Sequence, residues 1–269
     1  MIKYVTELFS TTWKNVDQDS IDYQLKNIGI DKKVIFILIY TAIGLSVVRY
    51  FGIPSFYLNS LTDHSSDFQK WYYTYFFSSS NGKFHSLIWW ISTIVIIYLA
   101  IPIVIIRCGF KEQISNYGFS FNNVKKDYLL YLILLIVMIP IVFIASNSIG
   151  FQAVYPIFKP EKNQLFPLFF LWQIAYLVQF IAVEFFFRGF ILHGIKNRFG
   201  FYSLFVMIIP YCVVHFGKTF EETIAAIIAG VILGTLSLKS KSIFLGVCIH
   251  YTIAITMDLF AMWREGYFS

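Results

Sequence analysis

The sequence predicts an all-α protein, a polytopic transmembrane helical bundle of about seven or eight spans. Of its 269 residues, 58% are hydrophobic and 20% aromatic, while only 13% are charged, against roughly 25% in a typical soluble domain. The hydrophobic residues also occur in long runs, several of them near the ~20 residues that a helix needs to cross a bilayer. We therefore expect an integral membrane protein whose constant partner is the lipid bilayer.

Seven apolar runs give the predicted spans. They lie at residues 34–50, 87–106, 128–144, 168–195, 201–216, 222–238 and 243–262. The segment between the first two runs combines Asp63 with a cluster of aromatic residues, which suits an outer loop lying on the lipid headgroups. An eighth span hidden in this loop would change the count.

The spans divide the chain into three parts. Residues 1–31 form a leader without an apolar stretch long enough for a signal peptide, and we expect either a short interfacial helix or a partly ordered tail there. Residues 32–163 hold the N-terminal transmembrane helices and the aromatic outer loop. Residues 164–269 hold a core that carries a cluster of polar side chains inside the membrane.

The formal net charge of +6 is better explained by membrane topology than by a charged partner. The Lys and Arg residues are scattered in short loops, and no recognition motif accompanies them, so we exclude nucleic acid as a partner. Alternating the spans places most of these cations on the side of the amino terminus. By the positive-inside rule that side is cytoplasmic, and the expected location is the plasma (inner) membrane.

Glu184 and Arg188 form the most informative pair in the sequence. They lie four residues apart within the apolar run 168–195, so they share one face of the predicted helix. Each charge costs roughly 2.5–3.5 kcal/mol at the centre of a membrane helix, so such a pair indicates a functional site that faces the bundle interior. The alternative is a buried ion pair that only fixes helix packing.

Other groups able to do chemistry lie on neighbouring predicted helices. His215 is near the end of the fifth span, His250 is in the seventh, Asp258 follows two turns later, and Glu221 directly precedes the sixth. At ~1.5 Å per residue from the cytoplasmic boundary, tilted helices can bring Glu184 and the two histidines into one chamber below the cytoplasmic surface. We therefore expect these three side chains to converge.

Two chemistries fit this set. In the first, Glu184 is a general base that activates water, while His215 and His250 orient the water and stabilise an oxyanion. In the second, the same three residues are ligands of a catalytic zinc ion with an open position for water. No HExxH arrangement accompanies them, so we expect no required cofactor, with zinc as the alternative.

The sixth span also carries two structural signals. Ala226, Gly230 and Gly234 recur at intervals of four, a pattern that permits close contact between helices. Thr219 and Glu222 have the spacing of a capping box, so Glu222 most simply closes the amino terminus of this helix.

The polar residues resemble the three intramembrane motifs of the CPBP family, named for CAAX proteases and bacteriocin-processing enzymes. Glu184 and Arg188 match a motif of glutamate and arginine, Tyr211 and His215 match an aromatic residue four positions before a histidine, and His250 matches the late histidine. The resemblance covers about the last hundred residues. Within this family the segment is similar to the type II CAAX prenyl proteases. The resemblance implies an intramembrane endopeptidase that hydrolyses a membrane-associated, in some cases lipidated, peptide or protein.

Two positions depart from the family pattern. Val183 stands where the family has the glutamate assigned as the water-activating base, and Ala254 stands where an asparagine would support the oxyanion site. Either Glu184 has taken the role of base, with Glu221 or Asp258 assisting, or hydrolysis has been lost. In the latter case the protein only binds a peptide or partner, as in self-immunity.

A proton-coupled transporter that uses the same polar cluster as a relay is a third hypothesis. It lacks the paired, interrupted half-helices expected of transporters built from inverted repeats.

Overall fold

The computed structural model describes residues 2–60, 67–121, 124–161 and 165–268. Every regular element in this part of the chain is helical and none is a β-strand, which confirms the predicted fold class. Six segments within it are long and apolar enough to cross a membrane. They are Lys32–Phe51, Gly82–Gly109, Tyr128–Ala145, Leu165–Val213, Phe220–Ser240 and Phe244–Arg264.

The helices are named in chain order. They are α1 (Ile2–Lys26), α2 (Lys32–Phe51), α3 (Pro54–Ser60), α4 (Asp67–Tyr73), α5 (Gly82–Val95, continued by further helical turns to Gly109), α6 (Val124–Ala145), α7 (Ile149–Val154), α8 (Phe170–Glu184), α9 (Gly194–Phe199), α10 (Ser203–Val213), α11 (Phe220–Ser240) and α12 (Phe244–Arg264). A π-helical segment, Phe185–His193, joins α8 to α9.

One apolar segment contains two of the predicted spans. The fourth and fifth both fall within Leu165–Val213, where the chain turns at Gly200 with a φ of +55°. This backbone conformation favours glycine, and an added Cβ would also collide with the Asp17 carboxylate. Beyond the turn α10 packs back on the π-helical segment, with the rings of Phe187 and Tyr211 5.2 Å apart. The six apolar segments of the described chain therefore account for all seven predicted runs, because one of them holds two.

The leader forms α1, a helix of 25 residues that packs on the core. Trp13 Nε1 donates a hydrogen bond of 3.0 Å to Thr235 Oγ1 in α11, and the Trp13 ring stacks on Phe201 at 5.7 Å. Near the other end of α1, Gln24 Nε2 donates to the Arg198 carbonyl at 3.0 Å. The leader is thus joined to α11 and to the turn after α9, and it is longer than the short helix expected from the sequence.

The aromatic segment between α2 and α5 contains α3 and α4, of seven residues each. Neither is long enough to cross a bilayer. The Tyr72 hydroxyl donates to the Pro54 carbonyl at 2.9 Å, which joins α4 to α3. The ring of Phe56 in α3 packs against Phe51 at the end of α2, with 5.3 Å between the ring centroids. Asp63, named in the sequence analysis, lies outside the described residues.

The π-helical segment runs through the centre of the bundle, and all nine of its residues are buried. Phe186 stacks on Tyr98 at 4.2 Å between ring centroids, and Phe190 packs against Tyr40 of α2 at 5.5 Å. Wide π-helical turns are rare and occur often at functional sites. Here the wide turn begins directly after Glu184.

The small residues of α11 face α10. An added Cβ on Gly230 would lie 3.0 Å from Ile208 Cγ1, and one on Gly234 would collide with Leu204. The predicted close contact along the small-residue face of this helix is confirmed.

Candidate active site

Glu184 and Arg188 form an ion pair at the centre of the bundle. Glu184 is the last residue of α8, Arg188 lies in the π-helical segment, and both side chains are fully buried. Arg188 Nη1 lies 3.0 Å from Glu184 Oε1. The guanidinium also covers the ring of Tyr211 at 4.0 Å from its centroid, where the ring quadrupole stabilises a cation. The pair faces the bundle interior, as the cost of exposing a charge to lipid requires.

His250 of α12 binds the same carboxylate oxygen. Its Nδ1 lies 2.9 Å from Glu184 Oε1. Because an ionised carboxylate only accepts hydrogen bonds, this contact places the proton of the neutral imidazole on Nδ1 and leaves the Nε2 lone pair free. The His250 side chain is 21% exposed whereas that of Glu184 is 0% exposed. The imidazole therefore lies at the accessible side of the pair and the carboxylate behind it.

Gly246 permits this contact. A Cβ at residue 246 would lie 2.7 Å from Glu184 Oε2, so any side chain there would displace the carboxylate or the helix. Gly246 precedes His250 by four residues and therefore lies on the same face of α12. The sequence analysis missed this residue, although a glycine one turn before the late histidine was the available signal.

His215 lies two residues beyond the end of α10. Its Nδ1 donates to the Tyr211 carbonyl at 2.8 Å, because a carbonyl oxygen can only accept, and its Nε2 lone pair is therefore free as well. Burial lowers the pKa of His215 from 6.5 to about 4. This imidazole is neutral at physiological pH and offers an acceptor rather than a donor.

Tyr211 connects the members of the cluster. Its ring centroid lies 4.8 Å from the ring of His215 and 6.3 Å from that of His250, and its face carries the Arg188 guanidinium. In the sequence Tyr211 was only the aromatic residue of a motif. In the fold its ring contacts both histidines and its carbonyl sets the tautomer of one of them.

The model of the family described as Type II CAAX prenyl endopeptidase Rce1-like matches residues 165–256. Residues 165–256 are similar to the CAAX protease family. The matched segment contains the ion pair and both histidines, so the predicted family resemblance is confirmed. Comparison with curated proteins and with solved structures finds no match to the chain.

Two residues of the matched segment depart from the family motifs and pack with apolar neighbours. Val183 is partly buried against the cluster that includes Leu204 and Ile208. Ala254, one turn after His250, is 5% exposed. Neither position supplies a polar group to the site.

The three side chains considered as zinc ligands do not form a ready metal-binding group. Within the described ranges no group of three or more His, Cys, Asp or Glu side chains is placed to hold a metal ion. Glu184 Oε1 already faces Arg188 and His250, while Oε2 faces Gly246. Of the proposed ligand set, the two imidazole Nε2 atoms and Glu184 Oε2 have no hydrogen-bond partner among the described residues, whereas Glu184 Oε1 is engaged by Arg188 and His250.

Asp258 lies outside this cluster, ~12 Å further along α12 from His250. It is fully buried. Its Oδ1 accepts from the Ile157 backbone nitrogen at 3.1 Å, and its Oδ2 accepts from Trp172 Nε1 and Gln173 Nε2, both at 3.3 Å. Asp258 therefore links the segment that contains Ile157 to α8 and α12.

Glu221 and Glu222 lie in the first turn of α11. Glu221 is exposed and does not join the histidines.

Thr219 caps the helix, because its Oγ1 accepts from the Glu222 backbone nitrogen at 3.3 Å. The Glu222 carboxylate binds Lys218 at 2.7 Å and the Tyr155 hydroxyl at 2.8 Å instead of closing the capping box. The prediction of a cap is confirmed for Thr219 and is wrong for the Glu222 side chain.

Proposed function

We propose that the protein is an intramembrane endopeptidase that hydrolyses a membrane-associated peptide or protein. The match to a prenyl endopeptidase family supports a CAAX-type protease role in general. The observation that carries the proposal is the hydrogen bond from His250 Nδ1 to Glu184 Oε1, which leaves a basic nitrogen on the accessible side of a buried carboxylate.

In this mechanism His250 is the general base. The sequence analysis gave that role to Glu184, but a carboxylate with 0% exposure and one oxygen engaged by Arg188 and His250 is placed to orient an imidazole. Glu184 fixes the His250 tautomer and stabilises the imidazolium that forms when Nε2 takes a proton. This division of work between a buried carboxylate and a histidine is the logic of the hydrolase triads.

The reaction needs one water molecule and no metal ion. His250 Nε2 removes a proton from the water while the water oxygen bonds to the carbonyl carbon of the substrate. When the carbon–nitrogen bond of the peptide breaks, the His250 imidazolium returns that proton to the leaving amine. The products are a free carboxyl group and a free amine, and the base is restored.

His215 positions the same water. Its Nδ1 is engaged by the Tyr211 carbonyl, so its Nε2 accepts a hydrogen bond from the second O–H of the water. The positive charge of Arg188 keeps Glu184 ionised, and the Tyr211 ring holds the Arg188 guanidinium in place. The catalytic side chains are thus His250 and His215, while Glu184 and Arg188 are positioning residues.

The substrate class follows from the membrane setting. A peptide that reaches a site between apolar helices must itself be held at the bilayer, by an apolar segment or a lipid group. We place the amino terminus in the cytoplasm and the protein in the plasma (inner) membrane, because most cations lie on that side of the spans.

A second candidate function is a proteolytically silent protein that binds a peptide or partner, as in immunity. The observation that favours it is the pair Val183 and Ala254, which place apolar groups at both departures from the family motifs. If the native chain is inactive and Val183→Glu creates cleavage, the silent role is supported.

The test is cleavage of membrane-anchored peptides, with and without a prenyl group, by the purified protein in lipid vesicles. We expect Glu184→Gln to lower the rate about 10²–10⁴-fold, the range attributed to acid–base catalysis, as measured by mass spectrometry of the products. Because this variant leaves Arg188 without its counter-charge, His250→Gln is the second variant, and it keeps the ion pair. Glu7→Gln, at an exposed residue of α1, is the matched control. Native turnover by a folded His250→Gln protein would rule the mechanism out.

A further inference from the structure

Residues 155–160, here called the strap, follow α7 and lie across the end of the bundle where α11 begins and α12 ends. The strap is tied to α12 by the hydrogen bond from the Ile157 nitrogen to Asp258 Oδ1 at 3.1 Å. Its far end is held by Lys159, whose Nζ lies 2.7 Å from Glu265 Oε1, and by the Tyr267 hydroxyl, which donates to the Pro160 carbonyl at 2.6 Å. The position of the strap is therefore fixed relative to the helix that carries His250.

Tyr155 begins the strap and is 2% exposed. Its hydroxyl donates to Glu222 Oε1 at 2.8 Å and accepts from Lys218 Nζ at 2.6 Å. Lys218 Nζ also lies 2.7 Å from Glu222 Oε1, and the ammonium group sits over the Tyr155 ring at 5.0 Å. Burial and the Glu222 carboxylate raise the pKa of Tyr155 well above its usual value, so the hydroxyl keeps the proton that it donates.

Lys218 belongs to the connection 214–219, which also carries His215. Within this connection the Lys218 nitrogen donates to the His215 carbonyl at 3.1 Å, and the Thr223 hydroxyl donates to the same carbonyl at 3.2 Å. Gly217 adopts a φ of +100° between them. The His215 backbone is thus bonded directly to the residue that Tyr155 holds.

We propose that Tyr155 is a positioning residue for His215: through Lys218 it ties the connection that carries His215 to the strap, and the strap is tied through Asp258 to the helix that carries His250. The chain of contacts sets the spacing of the two imidazoles from the end of the bundle. It also gives a role to Asp258 and Glu222, two buried or half-buried carboxylates that the hydrolytic mechanism does not use. The catalytic meaning of the spacing rests on the proposed function, whereas the restraint on His215 does not.

The partial burial of the contact makes it effective. The Lys218 and Glu222 side chains are 28% and 18% exposed, so solvent screens this ion pair less than it screens a pair on the open surface. A single hydroxyl bonds to both charged partners, and its removal takes away the two hydrogen bonds that connect them to the strap. The ring of Tyr155, which packs against Phe151 at 4.8 Å, stays in place when only the hydroxyl is removed.

The experiment compares Tyr155→Phe with Tyr267→Phe in the full-length protein in lipid nanodiscs. Both variants remove one hydroxyl that holds the strap, but only Tyr155 contacts the connection that carries His215. Acylation of imidazoles by diethyl pyrocarbonate is followed for His215 and His250 by mass spectrometry of their peptides. We expect Tyr155→Phe to raise the acylation rate of His215 about fivefold, as the loss of one hydrogen bond shifts a local opening equilibrium, and Tyr267→Phe to leave it unchanged.

Lys218→Met removes the same contact from the other side. Because both substitutions break one link, the double variant Tyr155→Phe/Lys218→Met should show the same His215 rate as either single variant, not the product of the two increases. Equal His215 rates in the native and Tyr155→Phe proteins, or equal increases in Tyr155→Phe and Tyr267→Phe, would overturn the proposal. The labelling needs no substrate, so its outcome is separate from whether cleavage is ever observed.

Discussion

The two histidines of the site differ in the group that each Nδ1 binds. His250 binds a carboxylate at 2.9 Å and His215 binds a backbone carbonyl at 2.8 Å. A negative charge stabilises an imidazolium much more than a neutral carbonyl does. In the proposed hydrolysis this difference makes His250 the residue that accepts the proton and His215 a neutral acceptor for the same water.

The neutral state of His215 has a consequence for stability. Its folded pKa of about 4 lies below the ordinary value of 6.5, so between these two pH values the unfolded chain binds more protons than the folded one at this residue. The contribution of the neutral His215 to the free energy of unfolding is therefore fully present above pH ~6.5, and it is lost as the pH falls toward ~4.

We expect His215→Gln to reduce the decline in melting temperature between pH 6.5 and 4, the values that bound the titration. The measurement is thermal unfolding in detergent, followed by tryptophan fluorescence at several pH values. Above pH 6.5 the substitution should leave the pH dependence unaltered. Parallel curves for the native and substituted proteins over the whole range would show that His215 titrates normally in the fold.

At the scale of elements, the site depends on how closely α12 approaches the end of α8. Gly246 is the contact point, because an added Cβ would lie 2.7 Å from Glu184 Oε2. Such a distance is too short for a carbon and a carboxylate oxygen, and neither neighbour is the end of a flexible side chain on the surface. The helix or the carboxylate must shift.

We expect Gly246→Ala to separate Glu184 from His250 and to lower the cleavage rate at least about tenfold, since a displacement near 1 Å is enough to impair catalysis. Gly109→Ala is a matched control, because its added Cβ would meet only Ile105 Cγ2, at 3.9 Å. Activity equal to that of the control would mean that the contact between α12 and α8 does not set the geometry of the site.

At the scale of the whole molecule, the sequence predicted the helical fold, the family resemblance and the burial of polar side chains in the bundle for a simple reason. Charges inside apolar runs are costly, so Glu184, Arg188 and His250 stand out and must turn toward one another. The same argument did not give the tautomer of either histidine or the contact of Gly246 with the carboxylate, because these depend on the detailed packing of helices far apart in sequence.

The apolar runs did not predict the turn conformation at Gly200, the contacts of the strap or the partners of Asp258. The polar residues Lys196, Asn197 and Arg198 placed a break between the fourth and fifth predicted spans, and the chain turns there at Gly200, but the conformation of the turn itself could not be obtained from the pattern. The strap lies in a loop without periodicity. The contact of its Tyr155 hydroxyl with Lys218, which lies 63 residues further along the chain, depends on the tertiary fold and leaves no local pattern. Asp258 was placed correctly on a buried helix, but its partners lie on α8 and on the strap.

Nuclear magnetic resonance of the protein with isotope-labelled histidine, in lipid nanodiscs at neutral pH, distinguishes the protonated ring nitrogen of each imidazole. The His250 signal is assigned from its absence in His250→Gln. We expect a neutral His250 ring with the proton on Nδ1 and a free Nε2, because Glu184 Oε1 accepts from Nδ1. A neutral His250 with its proton on Nε2 would mean that the buried carboxylate does not prepare this histidine to take a proton from water.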